Sequence, residues 1–225
     1  MNKEPILRVR IGIEDSKRLY DNISKYYDIF GFIENKPKTK ALEMAQIKEG
    51  EKVLEIGFGT GWGLLSIAKS VGEKGKVCGI DISKGMLRIT QTRLKKAGLL
   101  PRVELVLGDA RNMPYDNNFF DVVFITFTLE LFDTPDIPKV LSEIKRVLKP
   151  GGRAAVTSMS KKASGLGRYF IRLYEWAHKK FPYSMDCRPI YAEESIKEAD
   201  FKNIKTKTMK LFGLPVEIVC GVKEK

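Results

Sequence analysis

A carboxylate placed just ahead of a glycine run is the first feature of this chain with chemical meaning. The run reads Val53-Leu54-Glu55-Ile56-Gly57-Phe58-Gly59-Thr60-Gly61-Trp62-Gly63. Gly57 and Gly59 let the backbone turn sharply and approach a ligand closely. A glycine turn between a strand and a helix commonly holds a dinucleotide pyrophosphate on the helix N-terminus. Glu55 would oppose a pyrophosphate and suits a cationic amine instead. A nucleotide-linked ligand is still implied, because two further acids fall where strands should end. Asp81, in Gly79-Ile80-Asp81-Ile82-Ser83, follows the glycines by about twenty residues, a spacing that suits ribose recognition. A carboxylate there can accept from both ribose hydroxyls, while Ser83 is left to cap the next helix. Asp109, in Gly108-Asp109-Ala110, can accept from an adenine amine. A dinucleotide-binding protein is the alternative reading of these residues.

With Asp121-Val122-Val123-Phe124-Ile125 and Leu148-Lys149-Pro150-Gly151-Gly152 added, the series resembles the class I S-adenosylmethionine-dependent methyltransferases. It looks most like the branch containing quinone-ring C-methyltransferases and phospholipid N-methyltransferases. The resemblance covers residues 15–158 well and the C-terminal part loosely. It implies S-adenosylmethionine as methyl donor, with Glu55, Gly57, Gly59 and Thr60 around the methionyl part. Asp81 would take the ribose, Ile82 and Met86 the adenine face, Asp109 and Ala110 the adenine edge. Thr126 would lie near the sulfonium. The segment Tyr20–Asp28 is similar to one that folds over the cofactor, which places Tyr20 and Tyr27 in the cofactor site and Tyr27 nearest the reacting centre. Tyr27 could equally be a core aromatic.

The chain departs from the family in ways that bear on the acceptor. The stretch Phe127-Thr128-Leu129-Glu130-Leu131-Phe132-Asp133 lacks the histidine that quinone methylases often carry there. The Pro-Pro element of base-amine methylases is missing as well, and no cysteine fits a covalent pyrimidine mechanism. A general base is needed only if the acceptor must lose a proton. Tyr27 and Glu130, with Asp133, are the local candidates, and no catalytic residue is assigned. Phe132, Tyr169, Arg188 and Tyr191 are the expected acceptor contacts.

Alternating strands and helices must position these groups. Apolar runs at 52–56, 77–80, 103–107, 121–127 and 153–158 read as strands. Helical patterns fall at 15–30, 37–47, 61–71, 83–97 and 137–148. Such alternation implies a parallel sheet with crossover helices. Residues 205–210 and 216–222 are joined too tightly for a crossover and must form an antiparallel hairpin. The expectation is a single α/β, Rossmann-like domain with a seven-stranded, mostly parallel sheet. An N-terminal helical segment (1–48) precedes it, and a helical cap (159–190) is inserted between the fifth and sixth strands.

The 225 residues are 43% hydrophobic and 30% charged, a globular composition. No apolar run approaches the roughly 18–20 residues of a membrane span, and no secretory leader is visible. A cytoplasmic protein, peripheral to the membrane at most, is expected. Cys78, Cys187, Cys220 and the lone His178 have no metal-ligand spacing, so no metal is expected. Only two glutamines occur among many Lys and Glu, a heat-adapted bias.

The net charge of +12 is uneven. Residues 1–137 carry 21 Lys and Arg against 19 Asp and Glu; residues 138–225 carry 19 against 9. A basic C-terminal half suggests a phosphate-bearing partner. The cap pattern 165–181 mixes Tyr169, Phe170 and Trp176 with Arg168, Arg172, Lys179 and Lys180, beside Lys162. It fits either an anionic membrane surface or a lid packed on its own core. A hydrophobic or amphiphilic acceptor, a lipid or quinone-like molecule, is therefore expected. A small polar metabolite is the alternative, and nucleic acid ranks last because no RNA-binding module is attached.

Overall fold

The computed structural model describes residues 4–31, 34–183 and 185–224. Seven strands form one sheet: β1 (Lys52–Ile56), β2 (Lys76–Asp81), β3 (Val103–Leu107), β4 (Phe120–Thr126), β5 (Leu148–Met159), β6 (Lys202–Leu211) and β7 (Leu214–Val222). Their order is β3-β2-β1-β4-β5-β7-β6. Strands β1 to β5 pair in parallel, and β7 runs antiparallel to both β5 and β6. This is the Rossmann-like sheet with a C-terminal hairpin that the alternation implies. The order in which strands are added reverses between β1 and β4, and ligand sites in such sheets open at the strands' carboxyl ends beside that switch point.

Seven α-helices cover the sheet: α1 (Ile13–Gly31), α2 (Asn35–Ala45), α3 (Trp62–Ser70), α4 (Lys84–Lys96), α5 (Ile137–Val147), α6 (Leu166–Lys180) and α7 (Ala192–Glu198). Central strands are apolar on both faces because both are covered. Val123 and Ile125 of β4 meet Leu141 and Ile144 of α5, whereas Val122 and Phe124 face the side of Leu64, Ile67 and Met86. Ser83 caps α4 by accepting from the Met86 amide at 3.1 Å, and Gly98 follows the helix in a left-handed conformation.

Three elements differ from the sequence reading. Strand β5 starts at Leu148, not Arg153, because Leu148 pairs with Phe120 across a register irregularity. Pro150 therefore sits in a strand rather than in a plain helix stop. Helix α7 was not expected: it has seven residues and only Ala192 and Ile196 buried, too little for a helical period. The hairpin turn is Phe212-Gly213 alone, both left-handed (φ 48° and 82°), a two-residue connection in which Phe212 is an unusual occupant. The helical spacing of Leu19, Ile23, Tyr26, Tyr27 and Phe30 groups these side chains on one face of α1, yet Tyr26 points outward and is 64% exposed; the Phe30 side chain lies outside the described residues.

Candidate active site

The carboxyl ends of β1, β2 and β4 open into one cavity of about 300 Å³. The turn after β1 is possible only with glycine. Gly57, Gly59 and Gly61 all have positive φ, and a methyl group on Gly57 would lie 2.3 Å from the Thr128 hydroxyl. Gly63 has another purpose: a Cβ there would come within 2.0 Å of a Glu55 carboxylate oxygen. The glycine thus clears the space that Glu55 fills.

Glu55 is buried, and its Oε2 has no hydrogen-bond partner among the described residues. Burial pushes its carboxyl up to about 8, against the opposing pull of Lys38, which is itself ion-paired to Glu34 at 2.7 Å. A buried carboxylate without a partner costs stability unless a cation or donor completes it. The cationic amine of a methionyl group is such a partner. Asp81 accepts from the Gly59 and Ser83 amides, both at 2.9 Å, so the glycine turn itself orients it. Burial lifts its carboxyl to about 6, and the two amides oppose the shift. Both oxygens keep a free lone pair for ribose hydroxyls. Ile82, Met86 and Ala110 line the next part of the cavity. The Asp109 carboxylate is shared with Arg111, whose Nη2 is 2.7 Å away and whose Nη1 reaches Asp136. The sequence reading named Asp109 and missed this clamp.

Helix α1 forms a roof fixed to α4. Asp21 accepts from the Ser83 hydroxyl (2.7 Å) and the Gly85 amide (2.8 Å), and Asp28 pairs with Arg93. The Thr60 hydroxyl donates to Asp28 at 2.7 Å and accepts from Arg93. Thr60 lines the cavity, but its hydroxyl is committed to holding the roof. From that roof Tyr20 and Tyr27 face inward, their ring centroids 6.4 Å apart. The Tyr20 hydroxyl donates to Asp186 at 2.6 Å. Burial holds both phenols well above the ordinary tyrosine value, so both are neutral donors rather than ready bases.

The loop after β4 closes the far end. Thr126 lines the cavity, and Phe127 beside it is held left-handed at φ 51°, a strained conformation for an aromatic residue. Leu131 and Phe132 follow along the same wall. The sequence reading missed the opposite wall, made by Val9, Ile11 and Ile13. Its signal was present: apolar residues alternate with Arg8, Arg10 and Gly12, the pattern of an extended segment with one covered face.

Several expected contacts lie elsewhere. Asp133 is no base: Arg8 grips it bidentately at 2.8 and 2.5 Å, the Val9 amide adds a third bond, and this pairing with Arg8 draws its carboxyl down to about 2. It pins the N-terminal segment over the cavity. Glu130 is fully buried outside the cavity lining, accepts from the Met159 amide at 3.1 Å, and is pushed up to about 8 by burial. Arg188 is fully buried as well. Its guanidinium donates to the carbonyls of Leu7, Glu130 and Phe132 and to the Thr134 hydroxyl, which leaves little for an acceptor. The Tyr191 hydroxyl donates to the Glu4 carbonyl at 3.2 Å. Tyr169 stands 65% exposed on the outer face of α6. Of the four expected acceptor contacts, Phe132 alone lines the cavity.

Comparison with known proteins agrees with this geometry. Residues 53–152 match a family model described as a methyltransferase domain. A demethylmenaquinone methyltransferase of Staphylococcus carnosus is 30% identical over 239 aligned positions, covering 94% of each chain. Among solved structures, an S-adenosylmethionine-dependent methyltransferase from Aquifex aeolicus is 26% identical. It superposes with a TM-score of 0.59 over 82% of this chain and 89% of that one. A Haemonchus contortus phosphoethanolamine N-methyltransferase in complex with S-adenosylhomocysteine shares the fold at 20% identity. Its TM-score is 0.73 over 95% of this chain and 59% of its own. The matched domain and the near-full-length relationship, on a cavity that ends in the unpartnered Glu55, lead to one conclusion: the chain belongs to the class I S-adenosylmethionine-dependent methyltransferases and resembles the quinone methyltransferases among them.

Proposed function

We propose that this enzyme methylates a ring carbon of a quinol-type, hydrophobic acceptor. The observation that carries the reading is the near-full-length relationship to a protein named demethylmenaquinone methyltransferase. The wall of the cavity built from Val9, Ile11, Ile13, Leu131 and Phe132 supports it, since a flat apolar ring needs apolar surfaces around it.

S-adenosylmethionine supplies a methyl group on a sulfonium, which passes to the nucleophile in line as the carbon–sulfur bond breaks. For a ring carbon, a carbon–carbon bond forms and the ring proton leaves. Glu55 holds the amine end, Asp81 the ribose, and Asp109 with Arg111 the base edge. Together they fix the direction from which the acceptor must approach, and alignment of this kind supplies much of the rate. The roof of α1 and the Val9–Ile13 wall cover part of the cavity, which weakens the screening of charge that shifts during transfer. Tyr27, as a neutral donor, can hold a ring oxygen, while the Tyr20 hydroxyl, which donates to Asp186, can accept from a ring hydroxyl. A proton leaving the ring can pass to the Tyr20 oxygen as Tyr20's own proton passes to Asp186, so that Tyr20 stays neutral throughout.

A methyl-transfer assay with labelled cofactor tests this. A short-chain demethylmenaquinol, an aqueous metabolite extract and nucleic acid are offered in parallel. Label should enter the quinol and be extracted into organic solvent. Label confined to the metabolite or nucleic-acid arm would remove the quinol reading.

A further inference from the structure

The outer face of α6 is apolar in a place where solvent should make it polar. Among the described residues, ten large hydrophobic side chains are exposed, and eight of them lie between Leu166 and Tyr183 or at the hairpin turn. Along α6 they fall on one stripe: Leu166, Tyr169, Phe170, Leu173 and Trp176. The helix already buries a different stripe, Ile171 and His178, against the body of the protein. Its outward stripe is therefore unpartnered, unlike that of an ordinary surface helix. The β6–β7 turn extends the patch. A methyl group on Gly213 would come within 3.0 Å of the Phe170 ring, and Phe212 beside it is 76% exposed.

Cations flank this stripe. Arg168, Arg172, Lys179 and Lys180 are all exposed. Arg172 has one long contact, 3.9 Å to Glu4, and Lys180 lies 5.6 Å over the Trp176 ring. The single acid of the helix, Glu175, is turned inward and bonded to the buried Lys161. Lys162, grouped with these cations on sequence alone, is not available. It is surrounded by Glu193, Glu194 and Glu217 at 2.7, 3.0 and 3.2 Å. Four cations beside exposed Leu, Tyr and Trp side chains make an interfacial helix.

We propose that α6 and the β6–β7 turn dock on an anionic lipid surface. The occupant follows from the charge. A second copy packed on the same face would set these cations against themselves, because a two-fold interface brings the same patch together. An anionic bilayer pairs with all four, while Leu173, Trp176 and Phe212 enter the headgroup layer. The docking face is also tied to the cavity wall. The Arg10 guanidinium donates to the Lys179 carbonyl at 3.2 Å, and the His178 ring lies 3.5 Å from the Arg8 carbonyl. Val9 and Ile11, on either side of Arg10, line the cavity. An amphiphile in the bilayer would thus meet the enzyme beside its apolar wall. The proposal does not depend on which acceptor is methylated.

Co-sedimentation with vesicles of equal parts phosphatidylcholine and phosphatidylglycerol tests it. Wild-type protein should sediment with them at low salt, release as salt rises, and ignore pure phosphatidylcholine. The fluorescence of Trp176 should shift to the blue on binding. Replacing Arg168, Arg172, Lys179 and Lys180 by Gln should lower partitioning roughly 100- to 1000-fold. Circular dichroism and S-adenosylhomocysteine binding should stay unchanged, since all four side chains are exposed. A second variant, Leu173→Asn with Trp176→Ser, should keep the salt dependence but bind more weakly at every salt concentration. No sedimentation of wild type at low salt would overturn the proposal, as would equal binding by the Gln variant. Dimerisation of wild type that Leu173→Glu abolishes would assign the face to a second copy instead.

Discussion

The two walls of the cavity are built on different principles. The strand-end wall is local: Glu55, Gly57, Gly59, Asp81 and Asp109 stand where their strands stop, each held by amides or side chains close in the fold. The opposite wall is assembled at long range. Val9 and Ile11 are kept in place by Arg8 on Asp133 and by Arg188 on the Leu7 carbonyl, contacts spanning 125 and 181 residues of sequence. The first wall can vary little without losing the cofactor. The second can change its acceptor while its clasps keep the fold.

In cofactor binding, the largest effect should come from the local wall. Gly63→Ala drives a methyl group into Glu55 and displaces the carboxylate from the place proposed for the amine. Titration calorimetry should record a loss of about 3 kcal/mol in S-adenosylhomocysteine binding, the scale of breaking a buried charge pairing. Unchanged affinity would mean that Glu55 does not face the ligand. Asp81→Ala should cost about 1–3 kcal/mol in the same titration, from charged hydrogen bonds left unmade.

Arg188→Met sharpens the comparison from the other side. It strands three carbonyls and one hydroxyl and should lower stability by about 3–5 kcal/mol in denaturant melts. The protein that remains folded should bind the cofactor nearly as well as wild type. A selective loss of cofactor binding at full stability would show that the two walls are not separable.

The pH dependence follows from the buried acids. Glu55 and Glu130 both sit near 8 in the folded chain, pushed up by burial, against about 4.3 for a free glutamate. The folded form therefore holds protons that the unfolded form has lost, so stability must fall as pH rises from about 4 to 8. Each group contributes to that decline within the window. Thermal melts should show a steady decline, less steep with saturating S-adenosylhomocysteine, which gives Glu55 its counter-charge. The smallest effect is expected at Tyr169→Ala, which should leave turnover of a detergent-solubilised acceptor unchanged, because that ring lies on the outer face of α6.

What the sequence made legible divides along the same line. Strand ends carry their function next to their structural signal, so Glu55-Ile56-Gly57 and Gly79-Ile80-Asp81 reveal both together. The alternation of Val9, Ile11 and Ile13 was visible too, but nothing local says that an extended segment before the first helix reaches across the sheet. Arg188 could not be read either. A fully buried arginine that satisfies three backbone carbonyls looks, in sequence, like any cation near a binding site. The inward turn of Glu175 and the capture of Lys162 likewise depend on Lys161, Glu193 and Glu217, which come together only in the folded chain.

The measurement that bears most directly on the site is proton release on binding S-adenosylhomocysteine at pH 7. Titrations in buffers of differing ionisation enthalpy count those protons. Glu55, pushed up to about 8 by burial, is mostly protonated at pH 7 and, on the proposed assignment, must ionise as it meets the cationic amine. About one proton should leave per ligand bound, a number set by the Glu55 value and the working pH. Glu55→Gln should release none and bind more weakly. Wild type that binds tightly without releasing a proton, or a Gln variant that releases as many, would contradict the assignment of Glu55 as the seat of the amine.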